Sequence, residues 1–345
     1  MRSQFDKALS CKISNMSFFC ACLVVLIHCP VSQTHFWYFE YFLKTKLTMI
    51  AVPCFFIISG FFLARHVSEE SWYLDAIKKR IRTLLVPLFV LDAMWFPIKY
   101  GIHHIGVLRF GADGSSEVMR LTFYNVLSGI GIIPWGHTVV IGMWYIKALF
   151  LLVLISPALK YLVCYGKTRM IVSLVCMFVC YVMQNALLVG GAWDYELNLR
   201  CTFYFMLGMA LCKHDGLNEV RRFRYMSAVV ALIALFCLEK NIGQLMRSMI
   251  LALATPAMSI IVWSLVPSRQ WPQYLVGNSF PVFVTHGMIL YLFPIPFKAI
   301  GLWNDIVNVL GPIPIWFVVM GIAITLSILV KRCFPNFSRV AFGGR

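Results

Sequence analysis

Residues Ser17 to Cys29 read SFFCACLVVLIHC, an apolar run that carries a single imidazole, His28, near its far end. Extended backwards to Ser14, the run is a helix bound for hydrocarbon. A charged side chain there costs roughly 2.5 to 3.5 kcal/mol, so a titratable group turns to a bundle interior or a wet cavity. Counted from Ser14 at about 1.5 Å per residue, His28 lies about 21 Å into a core of about 30 Å, in the outer half of the bilayer. Ala21 and Ser17 share its helical face, small residues that let a neighbouring helix approach. An inward imidazole can serve as a general base. It can equally make an interhelical hydrogen bond or sit at the interface.

The rest of the chain has the same character. Of its 345 residues, 60% are hydrophobic and 13% charged, and the mean hydropathy is +0.80, which excludes a soluble protein. Ten apolar segments are expected to span, at about residues 14–30, 47–64, 83–100, 139–160, 170–190, 200–212, 225–238, 249–266, 280–297 and 312–330. The sixth and seventh are short. The predicted fold is an all-α polytopic bundle of about ten transmembrane helices, with residues 1–345 forming one membrane-embedded domain and no appended soluble domain.

The net charge of +16 would suggest nucleic acid in a soluble chain. Here the basic residues sit in short loops, which points to anionic lipid headgroups and no nucleic acid. With the N-terminus in the cytoplasm, 20 of the 30 Lys and Arg residues fall inside, so both termini are expected to be cytoplasmic. No A-x-A-like site follows the first helix, which is expected to remain as an uncleaved anchor. Twelve cysteines lie mostly within apolar runs without CxxC pairs, and they read as small buried hydrophobes, with no metal site implied.

Other residues stand out singly. In the second segment, Pro53 and the pair Ser59-Gly60 suggest a bent helix, which ordinary kinked packing also explains. The cluster Lys78-Lys79-Arg80-Ile81-Arg82 precedes the third segment and suits either the phosphates of a soluble donor or anionic lipid. Asp92 lies near the midplane, where a carboxylate is neutral, paired or in a wet cavity. Lys147 either snorkels outward or has a function, and Trp144-Tyr145 beside it suits a pocket or an aromatic belt. His286 enters the ninth segment from the cytoplasmic side and is expected to be shallow, with a packing or loop-binding role. His103, His104 and His137 show no metal-ligand spacing, and Asp194, Glu196 and Arg200 suit a sugar contact or a solvated rim. The longest connection, Gly101 to Gly136, is expected outside, as an acceptor cap or a linker.

Taken in order, LVVLIH ending at His28, VPCFFIISGFFLARH (52–66), KKRIRTLLVP (78–87), MWYIKALFLLVLISP (143–157) and NSFPVFVTHGMIL (278–290) make the chain resemble the acyltransferase-3 family of bacterial integral membrane acyltransferases. The resemblance implies transfer of an acyl group, commonly acetyl, from cytoplasmic coenzyme A thioester to hydroxyls of a cell-surface polysaccharide or its lipid-linked precursor. It implies acetyl-coenzyme A as co-substrate, no permanently bound cofactor, and a location in the bacterial inner membrane. His28 corresponds to the family's first-helix histidine, with Asp92 as a second catalytic candidate. Arg80 and Arg82 correspond to its basic pair, and with Lys79 and Ser59 they are the acyl-coenzyme A candidates. Trp144, Tyr145, Lys147 and His286 complete the expected pocket. The chain departs from the family in three places: Asn15 to Phe19 carries no charge, the basic pair is R-x-R, and Gly142-Met143 precede Trp144. A secondary transporter is the competing class for ten helices with few intramembrane charges.

Overall fold

The computed structural model describes residues 2–30, 43–104, 142–187, 199–214, 224–238 and 243–344. Among these, every regular element is helical, as a chain surrounded by hydrocarbon requires to satisfy its own backbone groups. Helix α1 (Arg2–His28) is followed by a π turn (Leu43–Leu47) and a 3-10 turn (Thr48–Ile50) that lead into α2 (Ala51–His66). Then come α3 (Trp72–Arg80), a second π turn (Ile81–Leu85), α4 (Val86–His104), α5 (Met143–Leu154), α6 (Ser156–Cys164), α7 (Lys167–Leu187) and α8 (Leu199–Lys213). The remainder is α9 (Arg224–Leu238), α10 (Gln244–Leu265), α11 (Gln273–Val276), α12 (Ser279–Leu292), α13 (Pro294–Ala299), α14 (Trp303–Leu310), α15 (Pro312–Cys333) and α16 (Pro335–Ala341).

Seven helices among the described residues are long and apolar enough to cross a membrane, and eight if the bent pair α5–α6 counts as one. The described parts of the ten expected segments are predominantly helical. Two of them, α8 and α9, have 15 residues each, about 22 Å of rise against a core of about 30 Å. Large apolar side chains such as Leu232, Phe317 and Leu329 stand exposed. A face of that kind suits lipid contact. The chain is a polytopic helical membrane protein.

Three expectations are corrected. The basic cluster 78–82 does not stand before the third helix but within it, because one helix runs from Trp72 to Ile102 through the π turn. The fourth span is bent by 67° between Leu154 and Ser156, where Pro157 cannot donate the amide that would continue α5. Pro53 does not bend α2, since it lies in the first turn, where its missing amide leaves no helical bond unmade.

The chain packs as two compact units, Met1–Cys20, Met49–Lys79 and Ala148–Trp271 in the first, and Ala21–Thr48, Arg80–Lys147 and Pro272–Arg345 in the second. In the first unit α8 is buried over most of its length and crosses α2 at backbone contact. A Cβ on Gly60 would overlap the Phe205 carbonyl oxygen, and one on Gly208 would overlap that of Ile57. Two glycines facing opposite backbones let the helices close, which gives dispersion contact that hydrocarbon cannot replace. Asn15 adds a polar clamp: it is fully buried, its Nδ2 donates to the carbonyls of Pro267 and Arg269 at 3.0 and 2.8 Å, and its Oδ1 accepts from the Trp271 amide at 3.0 Å.

In the second unit α15 is the common support. Its Trp316 Nε1–H donates to the Cys22 carbonyl of α1 at 2.8 Å. Its Ser327 Oγ and Lys331 Nζ both donate to Asn278 Oδ1, at 2.7 and 2.9 Å, at the start of α12. One helix thus holds α1 and α12 in fixed register. Replacing Gly60 by Ala is expected to cost about 2 kcal/mol or more through overpacking, read as a lower thermal midpoint in detergent. An unchanged midpoint would show that α2 and α8 are not in contact through this residue.

Candidate functional site

Helix α1 ends at His28, which is exposed. Lys44, from the first π turn, donates from Nζ to the Cys29 carbonyl at 2.7 Å, so a cation caps the end of α1 beside His28. Burial pulls the Lys44 ammonium below the ordinary lysine range. Facing His28 is His286 of α12, with ring centroids 5.3 Å apart and planes 31° from parallel. His286 is fully buried. Its Nδ1 lies 2.6 Å from the Phe283 carbonyl oxygen. A carbonyl can only accept, so Nδ1 carries the proton and Nε2 of the neutral ring keeps its lone pair. That Nε2 is buried and has no hydrogen-bond partner among the described residues.

The surroundings extend from this pair in steps. The Phe283 ring lies 6.1 Å from His286 and 5.5 Å from Tyr145. The Arg80 guanidinium lies within electrostatic range of Tyr145. Gly142 lies against His286, with its missing Cβ position 3.6 Å from His286 Cε1 and from Phe283 Cζ. Its φ of +92° takes the chain into α5 through a conformation that side chains avoid.

Several sequence-predicted residues therefore converge on one unit: His28, His286, Tyr145 and Arg80. The expected difference in depth between the two histidines does not hold. The two rings are 5.3 Å apart and therefore lie at one depth. Arg80 and Arg82 differ in burial. Arg80 is half-buried and Arg82 exposed, because residues two apart on a helix point to nearly opposite sides. Trp144 is exposed and Tyr145 buried, so only Trp144 suits a belt. Lys147 is 4% exposed and engaged by its surroundings, which excludes snorkelling. Asp92 is fully buried.

Ser59 and Lys79 belong to the first unit, where Ser59 is buried beside the Gly60 contact and Lys79 is exposed. Arg200 begins α8, in the first unit. His137, Asp194, Glu196, most of the long connection and the side chains of His103 and His104 lie outside the described residues. Sequence reasoning missed Lys44, Phe283 and Gly142 as site residues. Only the departure at Gly142, a glycine just before Trp144, was a visible signal.

The model of the acyltransferase domain matches residues 13–332. The chain belongs to the acyltransferase-3 family. This acyltransferase is also similar to the succinoglycan biosynthesis protein ExoH of Rhizobium meliloti (strain 1021), at 24% identity over 369 residues, with 99% of this chain and 94% of ExoH covered. No solved structure matches it significantly. Both matches extend across the two units, so the acyltransferase contains the His28–His286 contact and the Asn15 clamp within the matched region.

Replacing Gly142 by Ala in the acyltransferase leaves room for the methyl group but strains the backbone. The expected loss is about 1 to 3 kcal/mol of stability, measured by thermal unfolding in detergent. Equal midpoints would mean that the turn relaxes without cost.

Proposed function

We propose that this acyltransferase moves an acetyl group from cytoplasmic acetyl-coenzyme A to a hydroxyl of a cell-surface polysaccharide or of its lipid-linked precursor, in the bacterial inner membrane. The observation that carries the reading is an exposed histidine whose ring lies 5.3 Å from that of a buried one, the buried Nε2 having no hydrogen-bond partner among the described residues. The family supplies the reaction class, and the naming of ExoH for succinoglycan biosynthesis supports a polysaccharide acceptor. In this reading the two short helices complete ten crossings, with both termini in the cytoplasm.

His28 is the general base. Rotation of its ring presents one N–H to His286 Nε2, which turns the other ring nitrogen to the acceptor hydroxyl. That nitrogen takes the hydroxyl proton as the oxygen attacks the thioester carbonyl. The tetrahedral oxyanion forms near the Lys44 ammonium, a charge already in place before the reaction. Collapse breaks the C–S bond, the thiolate of coenzyme A takes the proton from His28, and the ester remains on the acceptor. Arg80 holds a phosphate of coenzyme A, with Tyr145 and Phe283 between it and the histidines. Arg82 adds positive charge at the surface, while Trp144, Lys147 and Asp92 shape the donor and acceptor paths. No resident cofactor or metal takes part.

His28→Ala is expected to abolish O-acetyl signals from the purified glycan at normal protein level, and unchanged acetylation overturns the assignment. His286→Ala lowers kcat without raising KM for acetyl-coenzyme A, and His286→Gln, which keeps an acceptor, restores part of the loss. A purely structural His286 would show no such rescue.

The two arginines are expected to differ. Arg80→Ala raises KM for acetyl-coenzyme A about tenfold, the loss of one charge-assisted hydrogen bond, and Arg82→Ala changes it much less. Equal effects would restore the arginines as a joint phosphate clamp.

A further inference from the structure

Two adjoining cavities lie in the first unit, well described by four helices and unused by the chemistry above. The first is an apolar cavity of about 190 Å³. Helix α1 lines it with Ile13 and Met16, α2 with Ile57 and Phe61, α8 with Leu207, and α10 with Pro256, Ser259 and Trp263. The second, of about 370 Å³, is lined by Lys12, Arg224, Trp263 and residues 264–268, including Ser264 and Ser268. Trp263 is the wall they share, and the Lys12 ammonium lies 4.9 Å over its ring.

The order of the two cavities along the helices is the informative point. On α1 the chain passes from Lys12 to Ile13 and Met16, moving from near the start of its span toward the interior. On α10 it passes the other way, from Pro256 to Trp263 and Ser264, ending at Leu265, the last residue of its span. Both helices place cationic and hydroxyl groups at the edge of the apolar span and apolar groups within it. An apolar cavity of this size stays dry and takes apolar atoms. Lys and Arg at the headgroup level attract phosphate.

We propose that this double cavity is a binding site for one anionic phospholipid, with the phosphate between Lys12 and Arg224 and one acyl chain in the apolar cavity past Trp263. The charge complementarity selects the occupant. A zwitterionic lipid brings a positive group to the same two cations, and a free acyl-coenzyme A would have to pass its nucleotide through hydrocarbon to lodge its chain there. Arg224 is exposed, its guanidinium lies 4.5 Å over the Tyr225 ring and its Nη2 donates to the Tyr225 hydroxyl at 2.6 Å, so an anion would take the remaining donors of the guanidinium. The site is independent of the proposed acetyl transfer.

The test is native mass spectrometry of the full-length protein in detergent, titrated separately with phosphatidylglycerol, phosphatidylcholine and a polyprenyl phosphate of matched apparent solubility. One phosphatidylglycerol is expected to bind preferentially. Lys12→Gln/Arg224→Gln is expected to weaken it about thirtyfold, since each cation at an anionic lipid surface contributes about fivefold. Ser259→Phe, which fills the apolar cavity, is expected to weaken it while leaving both cations, and Arg332→Gln, outside the cavities, to leave it unchanged. Equal binding of phosphatidylglycerol and phosphatidylcholine by the wild-type protein overturns the proposal whatever the variants do. Preference for the polyprenyl phosphate overturns the choice of phospholipid and assigns the site to a carrier lipid.

Discussion

A polar group carried into hydrocarbon has to find its partner within the protein, and the second unit is arranged by that constraint. Asn278 Oδ1 accepts from Ser327 and Lys331, and its Nδ2 donates to the Tyr274 carbonyl at 2.7 Å. The indole of Trp316 reaches the Cys22 carbonyl on the same supporting helix. These bonds fix α12 and α1 against α15, and only then can His286 and His28 meet. Apolar packing alone discriminates poorly between helix registers when the surroundings are equally apolar. Hydrogen bonds set the register, and the register sets the site.

Against that background His286 Nε2 is the exception. The groups that set the register are satisfied, yet this nitrogen is buried and has no hydrogen-bond partner among the described residues. An unpaired acceptor in a low dielectric costs about 1 to 3 kcal/mol. Such a cost is tolerable where a partner arrives during the reaction, and the exposed ring of His28 is the group positioned to provide it. Lys44 meets a related need, satisfying the terminal carbonyl of Cys29 and bringing a positive charge to the end of a helix that favours it.

The first unit solves the same problem with different means. Its glycines at 60 and 208 remove side chains so that backbones touch, and Asn15 ties α1 to the turn at 267–271 through three hydrogen bonds. Asn15 stands in the zone where the family resemblance anticipates a charge. A neutral amide can donate and accept at once, so it closes this turn without bringing a charge that would need its own partner.

The sequence by itself determined the polytopic helical membrane class and singled out His28, because burial in hydrocarbon is written in composition and because an imidazole there is costly. It also exposed the resemblance that the family match bears out. It could not decide which side chains meet. His28 and His286 are 258 positions apart, and whether they touch depends on bonds from α15 to both their helices. Nor could it show that the π turn joins the basic cluster to the third span and sends Arg80 and Arg82 to different sides. Helix periodicity reports the face of one segment. Only the tertiary structure, through the hydrogen bonds that fix register between segments, decides which faces come together.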